Sequence, residues 1–202
     1  VFKDNFWHLV GSVDIIDEFG VNWDNYQIKI LFPHDFPNAV PIMYETGGRI
    51  EQNDDNHINP GGSCCLSVPA LEMIILKKGI TISRFLEELA IPFLANQTYK
   101  EKTGDYANGE FGHGVSGLYQ FYTQAFDNDN QLVIFKGFEA IILNKIPGRN
   151  DPCFCGAEEK FKNCHLKSIE YLSPVSRKIL IKDFQVIKNA VEQIIKNDNN
   201  KN

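Results

Sequence analysis

Two places in the sequence gather residues that can do chemistry. The first is His57-Ile58-Asn59-Pro60-Gly61-Gly62-Ser63-Cys64-Cys65-Leu66-Ser67-Val68, a polar turn that ends in adjacent thiols and enters an apolar run. Pro60, Gly61 and Gly62 bend the backbone and keep side chains out of the way. A thiolate at the rim of such a turn attacks acyl carbons well. Asn59 lies six residues and His57 eight residues before Cys65, and an Asn carboxamide can donate hydrogen bonds to an oxyanion. The second place is Cys153-Phe154-Cys155, eight residues, then Cys164-His165. Three thiolates and one imidazole make a closed tetrahedral donor set, which suits structural zinc and leaves no open position for catalysis.

Each signal has a plainer reading. A reduced cysteine is often a small buried hydrophobe. Adjacent side chains in extended backbone point opposite ways, so Cys64 and Cys65 cannot both face one acyl carbon. Asn59 can bond its own turn instead of an oxyanion, and His57 is expected to brace the turn rather than act as a base. His113, flanked by Gly112 and Gly114, could approach the thiol or the substrate, although loop histidines are more often solvated.

The composition narrows the setting. With 202 residues, the chain allows one sizeable domain with an appendage, or two small domains. A net charge of −6 argues against a general nucleic-acid or anionic-membrane binder. No apolar run approaches the length of a bilayer span, and no basic-then-apolar leader is visible. The five cysteines are odd in number and tightly spaced, which fits a metal site plus reactive thiols in a reducing, cytoplasmic compartment better than a disulfide framework. The chain opens at Val1 within a strand-like segment, which predicts further residues upstream.

The elements around the two places read as follows. Phe6 to Ile16 is strand-like, Phe19-Gly20 is a turn, and Tyr26 onward alternates with period two, the mark of a half-buried antiparallel strand. Pro33, Pro37 and Pro41 force an extended or turning path, and Ile42 to Glu45 is a third strand. Thr81 or Ser83 caps a helix with Ile82, Phe85, Leu86 and Leu89 on its apolar face, and Pro92 falls inside or ends it. Gly104 to Gly114 is a glycine-rich loop; Val115, Leu118, Tyr119 and Tyr122 have helical spacing; Leu132 to Phe135 reads as a strand. Pro147 to Pro152 breaks the pattern, and Ser173-Pro174 starts a helix with an apolar stripe through Leu180, Phe184, Ile187, Val191 and Ile194.

This order resembles the ubiquitin-conjugating (UBC) fold. Trp7-His8-Leu9-Val10-Gly11 looks like that family's first strand, and Tyr26 to Pro33 like its second. Phe36-Pro37 with Pro41 matches its Tyr-Pro…Pro bend. His57-Ile58-Asn59 resembles its His-Pro-Asn motif, and Gly62-Ser63-Cys64-Cys65-Leu66 its catalytic segment. Ile58 replaces the family's proline, the turn between Asn59 and Cys65 is about two residues shorter than in eukaryotic members, and the helix before the first strand is absent. The short turn and the Gly-Glu-Phe-Gly-His-Gly loop at 109–114 are similar to bacterial members from antiphage operons of the cyclic-oligonucleotide type (CBASS). Independently, Gly148-Arg149-Asn150-Asp151-Pro152 with the cysteine cluster resembles the zinc-binding SEC-C motif, named for the tail of the SecA translocation ATPase.

The resemblances imply an α+β chain: a UBC-like domain over 1–145, with a four-stranded antiparallel meander and flanking helices, and a zinc module with a C-terminal helix over 146–202. They imply a ubiquitin-conjugating-like cysteine acyltransferase. Cys65 would be the nucleophile, Asn59 the oxyanion donor, and His57 and His113 supporting groups, with structural Zn2+ on Cys153, Cys155, Cys164 and His165. The implied partner is a protein with a conjugatable C-terminus, a nucleotidyltransferase related to cyclic GMP–AMP synthase (cGAS), served by a separate activating enzyme, with neither nucleic acid nor membrane involved. The alternatives are a non-catalytic UBC-fold module that docks a partner through its zinc module, and a thiol redox protein using Cys64-Cys65, which the strain of a vicinal disulfide disfavours.

Overall fold

The computed structural model describes residues 2–3, 6–106 and 114–199. The chain is mixed α+β and divides into two compact units, Val1–Ser67 with Ile75–Phe111 and Val68–Ile74 with Gly112–Asn202. The sequence-based boundary at 145/146 falls inside the second unit.

The first unit is an antiparallel sheet in the order β1-β2-β3-β4, formed by β1 (Phe2–Lys3), β2 (Phe6–Ile16), β3 (Asn22–Phe32) and β4 (Ile42–Glu45). The alternation in β3 decides which face is covered: Tyr26, Ile28 and Ile30 are buried while Asn25 and Gln27 are exposed. Register places Ile30 opposite both Leu9 and Met43, and Met43 is also fully buried. The link from β3 to β4 turns through a cis Phe36–Pro37 bond.

The helical layer of this unit begins where Thr81 accepts the Arg84 N–H at 3.2 Å, capping α2 (Ile82–Phe85). One π turn, Leu86–Ala90, then leads into α3 (Ile91–Thr103). Pro92 stands in the first turn of α3. Its missing N–H is tolerated because the wider π turn precedes it, so the proline neither ends nor breaks the run. Phe85, Leu89, Phe93 and Leu94 are buried in this unit, and α3 packs on β2 and β3.

The second unit is helical. Helix α1 (Pro69–Lys77) supplies Ala70 and Ile74 to its core. The remaining helices are α4 (Val115–Phe126), α5 (Gln131–Ile142), α6 (Leu166–Leu172) and α7 (Arg177–Asn199). Tyr122, Phe126 and Phe138 are fully buried, with the Tyr122 and Phe138 rings 4.4 Å apart. Fully burying a large apolar side chain is worth roughly 1.5–3 kcal/mol, so this aromatic group carries much of the unit's stability.

Two expectations are corrected here. Leu132 to Phe135 is helix, not strand: Asn130 accepts the Leu132 N–H at 2.9 Å and starts α5. A short apolar run cannot distinguish a strand from a buried helical turn, and the cap decides it. Ser173 does not begin α7 but ends α6, its hydroxyl donating to the Glu170 carbonyl at 2.8 Å. Ser176, three residues on, caps α7: its hydroxyl accepts from the Ile179 N–H at 3.4 Å and its carbonyl from the Leu180 N–H at 3.1 Å.

Candidate functional site

The cysteine cluster of the second unit is built by a tight reverse turn. Pro152 and Lys160 form an antiparallel bridge. Around it the Cys153 N–H donates to the Glu159 carbonyl at 3.0 Å and the Phe161 N–H to the Asp151 carbonyl at 2.9 Å. Gly156 takes φ +89°, a left-handed conformation that most side chains resist, and so folds Cys155 back toward the incoming strand. A single 3₁₀ turn, Phe161–Asn163, then delivers Cys164 and His165 to the start of α6. Phe161 is buried, and the Phe154 ring lies 6.1 Å from it and 5.1 Å from the imidazole of His165.

The four ligand atoms converge within 4.8 Å of one another. Cys155 Sγ lies 3.6 Å from Cys164 Sγ, and His165 Nδ1 lies 3.3 Å from Cys153 Sγ and 3.0 Å from Cys164 Sγ. Ideal tetrahedral zinc with ordinary bond lengths needs edges of about 3.8 Å between sulfurs and about 3.5 Å between sulfur and nitrogen. The Cys155–Cys164 and Cys153–His165 separations lie close to those edges, the Cys164–His165 pair is closer, and the widest pair reaches 4.8 Å, so the four donors are gathered around one point and are compatible with a metal ion, zinc by their chemistry.

The electrostatics agree. Burial pushes the Cys164 thiol up to about 12, reinforced by the neighbouring sulfurs of Cys153 and Cys155. Such crowding of thiolates is relieved by a divalent cation. Burial also opposes ionisation of Cys155, but the Ala157 N–H and the adjoining thiols outweigh it and hold the group below its usual range. Burial lowers the His165 pKa, which favours the neutral imidazole that a metal requires. Lys136 donates to the Cys155 carbonyl at 3.5 Å, while Lys160, Lys162 and Lys167, nearer to the ligands in sequence, are exposed. Lys136 comes from α5, seventeen residues before the first ligand, and no local pattern marks it.

The thiol turn belongs to the first unit and is pinned to the outer edge of β4. Ser63 bridges to Tyr44, and Ile58 bridges to Cys64. The Cys64 N–H donates to the Met43 carbonyl at 2.8 Å, the Cys65 N–H to the His57 carbonyl at 2.7 Å, and the Asn59 N–H to the Ser63 carbonyl at 2.9 Å. Gly62 sits at φ +80° at the tip of this hairpin. The extended backbone sends the two thiols opposite ways: Cys64 is buried and Cys65 is exposed. Burial pushes the Cys64 thiol up to about 12, so it is protonated at neutral pH.

Asn59 is exposed, and its carboxamide N–H donates to the Ser63 hydroxyl at 3.0 Å, across the turn. His57 adopts a left-handed conformation, φ 55°, at the close of a 3₁₀ turn (Asp54–Asn56). That turn is fastened by α3: Gln97 donates to the Asn56 carbonyl at 3.0 Å, and Lys100 to the Asp55 carbonyl at 2.7 Å. Tyr106 completes the brace. Its hydroxyl donates to the Asp55 carbonyl at 2.8 Å while its ring meets His57 edge-on at 5.8 Å. Sequence reasoning passed over Tyr106 inside the glycine-rich loop, where nothing local singles it out. His113 lies outside the described residues.

Comparison with known proteins speaks to the second unit. The SEC-C motif matches residues 149–167, a span that holds all four clustered ligands. The protein translocase subunit SecA of Chlorobium phaeobacteroides (strain BS1) is 58% identical over 26 residues, 13% of this chain and 2% of that protein. The chain therefore spans about a fiftieth of the length of the curated relative it matches. No solved structure matches. Among the described residues, no helix is long and apolar enough to cross a membrane.

Proposed function

We propose that the chain is a ubiquitin-conjugating-like acyl carrier that forms a thioester at Cys65. The observation that carries this reading is the exposed Cys65 thiol, on a hairpin tied to β4 and beside a neighbour that is buried and held protonated. Of the two candidates in the sequence, this supports Cys65 over Cys64 as the nucleophile. In the reaction, the Cys65 thiolate attacks the carbonyl of a C-terminus activated by a separate protein. A carbon–sulfur bond forms, the activating group leaves with its electron pair, and a lysine amine later displaces the sulfur to give an amide and the thiol. Asn59 Nδ2 carries two hydrogens: one braces Ser63, and the other is the donor offered to the oxyanion, a contribution typically worth about 10²-fold in rate. The partner proposed is a cGAS-like nucleotidyltransferase of a CBASS operon. Zinc on Cys153, Cys155, Cys164 and His165 holds the second unit's fold and supplies no reacting atom.

A second reading is a docking module without catalysis. The engagement of Asn59 with Ser63, and of the Cys64 and Cys65 N–H groups with carbonyls, favours it, since those donors serve the turn. Intact mass of the protein from its own host, before and after hydroxylamine, separates the two. A hydroxylamine-labile, protein-sized increment that is absent in Cys65→Ala supports the carrier. Undiminished partner binding by Cys65→Ala with no such increment supports the docking module.

A further inference from the structure

The turn between β2 and β3 leaves an aromatic ring in water above a closely hydrogen-bonded backbone. Phe19 is 82% exposed, with Ile16 and Val21 also exposed beside it. The Asp17 carboxylate accepts the N–H of Phe19, the N–H of Val21 and the indole N–H of Trp23, each at 2.9 Å. The backbone closes the same turn twice, from the Asp17 N–H to the Val21 carbonyl and from the Gly20 N–H to the Asp17 carbonyl, both at 3.0 Å. Gly20 supplies the left-handed step at φ +81°. Trp23 is gripped further by Lys102, whose ammonium lies 4.8 Å over its ring and donates to its carbonyl at 3.1 Å. Hydrogen bonding, the Val21 N–H first, holds the Asp17 carboxyl below its usual range, which keeps it ionised and accepting.

A large apolar side chain left in water contributes little to the fold. Here a web of hydrogen bonds organises the backbone beneath one. Pre-organisation of this kind removes the ordering cost of docking, and buried aromatic anchors dominate interface energies. The surroundings decide what the ring docks into. Asp14, Asp17 and Glu18 lie along the turn, with Lys102 over Trp23 beside them, so among these groups acidic charge outnumbers basic. A tip with this sign is repelled by an anionic bilayer and by the same tip on a second copy. We infer that the β2–β3 turn is a docking finger whose Phe19 ring enters an apolar socket, rimmed by lysine or arginine, on a separate folded protein. This does not rest on the thioester reading.

The test uses the full chain with Phe19 replaced by the photo-crosslinker p-benzoylphenylalanine, expressed in the protein's own host. Adducts are mapped to the residue by mass spectrometry, and the crosslinked protein is purified and titrated with uncrosslinked chain. The inference requires adducts confined to one protein, at apolar residues neighbouring lysine or arginine. It requires Phe19→Ala to weaken the purified pair by about 30-fold or more, with the unfolding of the variant itself unchanged. Asp17→Asn, which loosens the turn but keeps the ring, weakens binding by a smaller factor, and added salt weakens it for every variant that retains the acidic tip. Adducts to lipid, to a second copy of this chain, or scattered over many proteins overturn the inference. So does a Phe19→Ala variant that binds as the unmodified chain does.

Discussion

The two units handle cysteine in opposite ways. In the second, Cys153, Cys155 and Cys164 are brought together with His165, their donor atoms all within 4.8 Å of one another. In the first, Cys64 and Cys65 are adjacent in sequence, and the hairpin separates them by turning one inward and leaving the other out. Convergence makes a donor set compatible with a structural metal. Separation makes a single accessible thiol, which can react. The same side chain is thus gathered into a donor cluster or left singly at the surface according to whether the backbone around it is a tight knuckle or an extended edge.

The strongest way to break this comparison is to remove the metal. A Cys3His zinc site contributes on the order of 10 kcal/mol of apparent binding free energy, which for a small module is folding free energy. Chelation, or Cys164→Ala, is expected to collapse hydrogen-exchange protection at Phe161, Ile169 and the α6 turn. Amides of Ile28 and Ile30 in β3 should keep theirs. If protection in the sheet falls equally, the metal does not belong to one unit, and the contrast fails.

A second, smaller effect sharpens the other side. With Cys64 buried and its thiol pushed up to about 12, iodoacetamide at pH 7.5 on the zinc-loaded protein should modify Cys65 at least about 100-fold faster than Cys64, since only the thiolate reacts. Peptide mapping over a time course reads the ratio. Comparable rates would mean that the hairpin does not hold the two sulfurs apart.

Much of this contrast was legible in the sequence, for reasons of distance along the chain. All four candidate metal ligands lie within Cys153 to His165, so their spacing alone exposed them. The alternation from Tyr26 to Phe32 revealed β3 because one side of a sheet strand imposes its own period. Helix α5 was misread because Leu132-Val133-Ile134-Phe135 is too short a run to show a period, and its cap, Asn130, is a residue equally at home in a turn. Ser173 and Ser176 are both plausible caps, and only the hydrogen bonds choose between them. Tyr106, Lys136 and Asp183 could not be found at all. Each takes its meaning from a partner that packing supplies, on another element and up to 61 residues away.

Gly137 illustrates that dependence and gives a third prediction. A Cβ there would overlap the Phe126 ring, whose atoms are themselves fully buried. Glycine normally weakens a helix relative to alanine, so propensity alone predicts that Gly137→Ala stabilises α5. Overpacking at this contact predicts the reverse, a loss of about 1–3 kcal/mol in denaturant unfolding of the zinc-loaded protein. A gain would mean that the Phe126 ring has room to retreat.

The smallest expected effect lies deeper in the same unit. Asp183 is buried on the face of α7 that carries Leu180 and Ile187, and its carboxylate accepts the Tyr122 hydroxyl at 2.8 Å. Burial raises its pKa, with the Tyr122 hydrogen bond and then Lys182 opposing. The folded state therefore holds this proton more tightly than the unfolded chain does. The stabilisation is complete below the unfolded value of 3.8 and is lost as pH rises through the folded value, leaving a buried charge that disfavours folding at neutral pH. Asp183→Asn keeps an acceptor for Tyr122 and removes the charge. It should stabilise the unit at pH 7 by about 1 kcal/mol, a few degrees in melting temperature, and by much less below the unfolded pKa. The metal must stay bound for the comparison to hold, so the acid arm is replaced by following Asp183 itself, through its carboxyl carbon shift in NMR as pH is lowered from neutral. A carboxylate that titrates at or below its ordinary value would show that Tyr122 and Lys182 outweigh burial, and that this core tolerates a charge as readily as the zinc knuckle does.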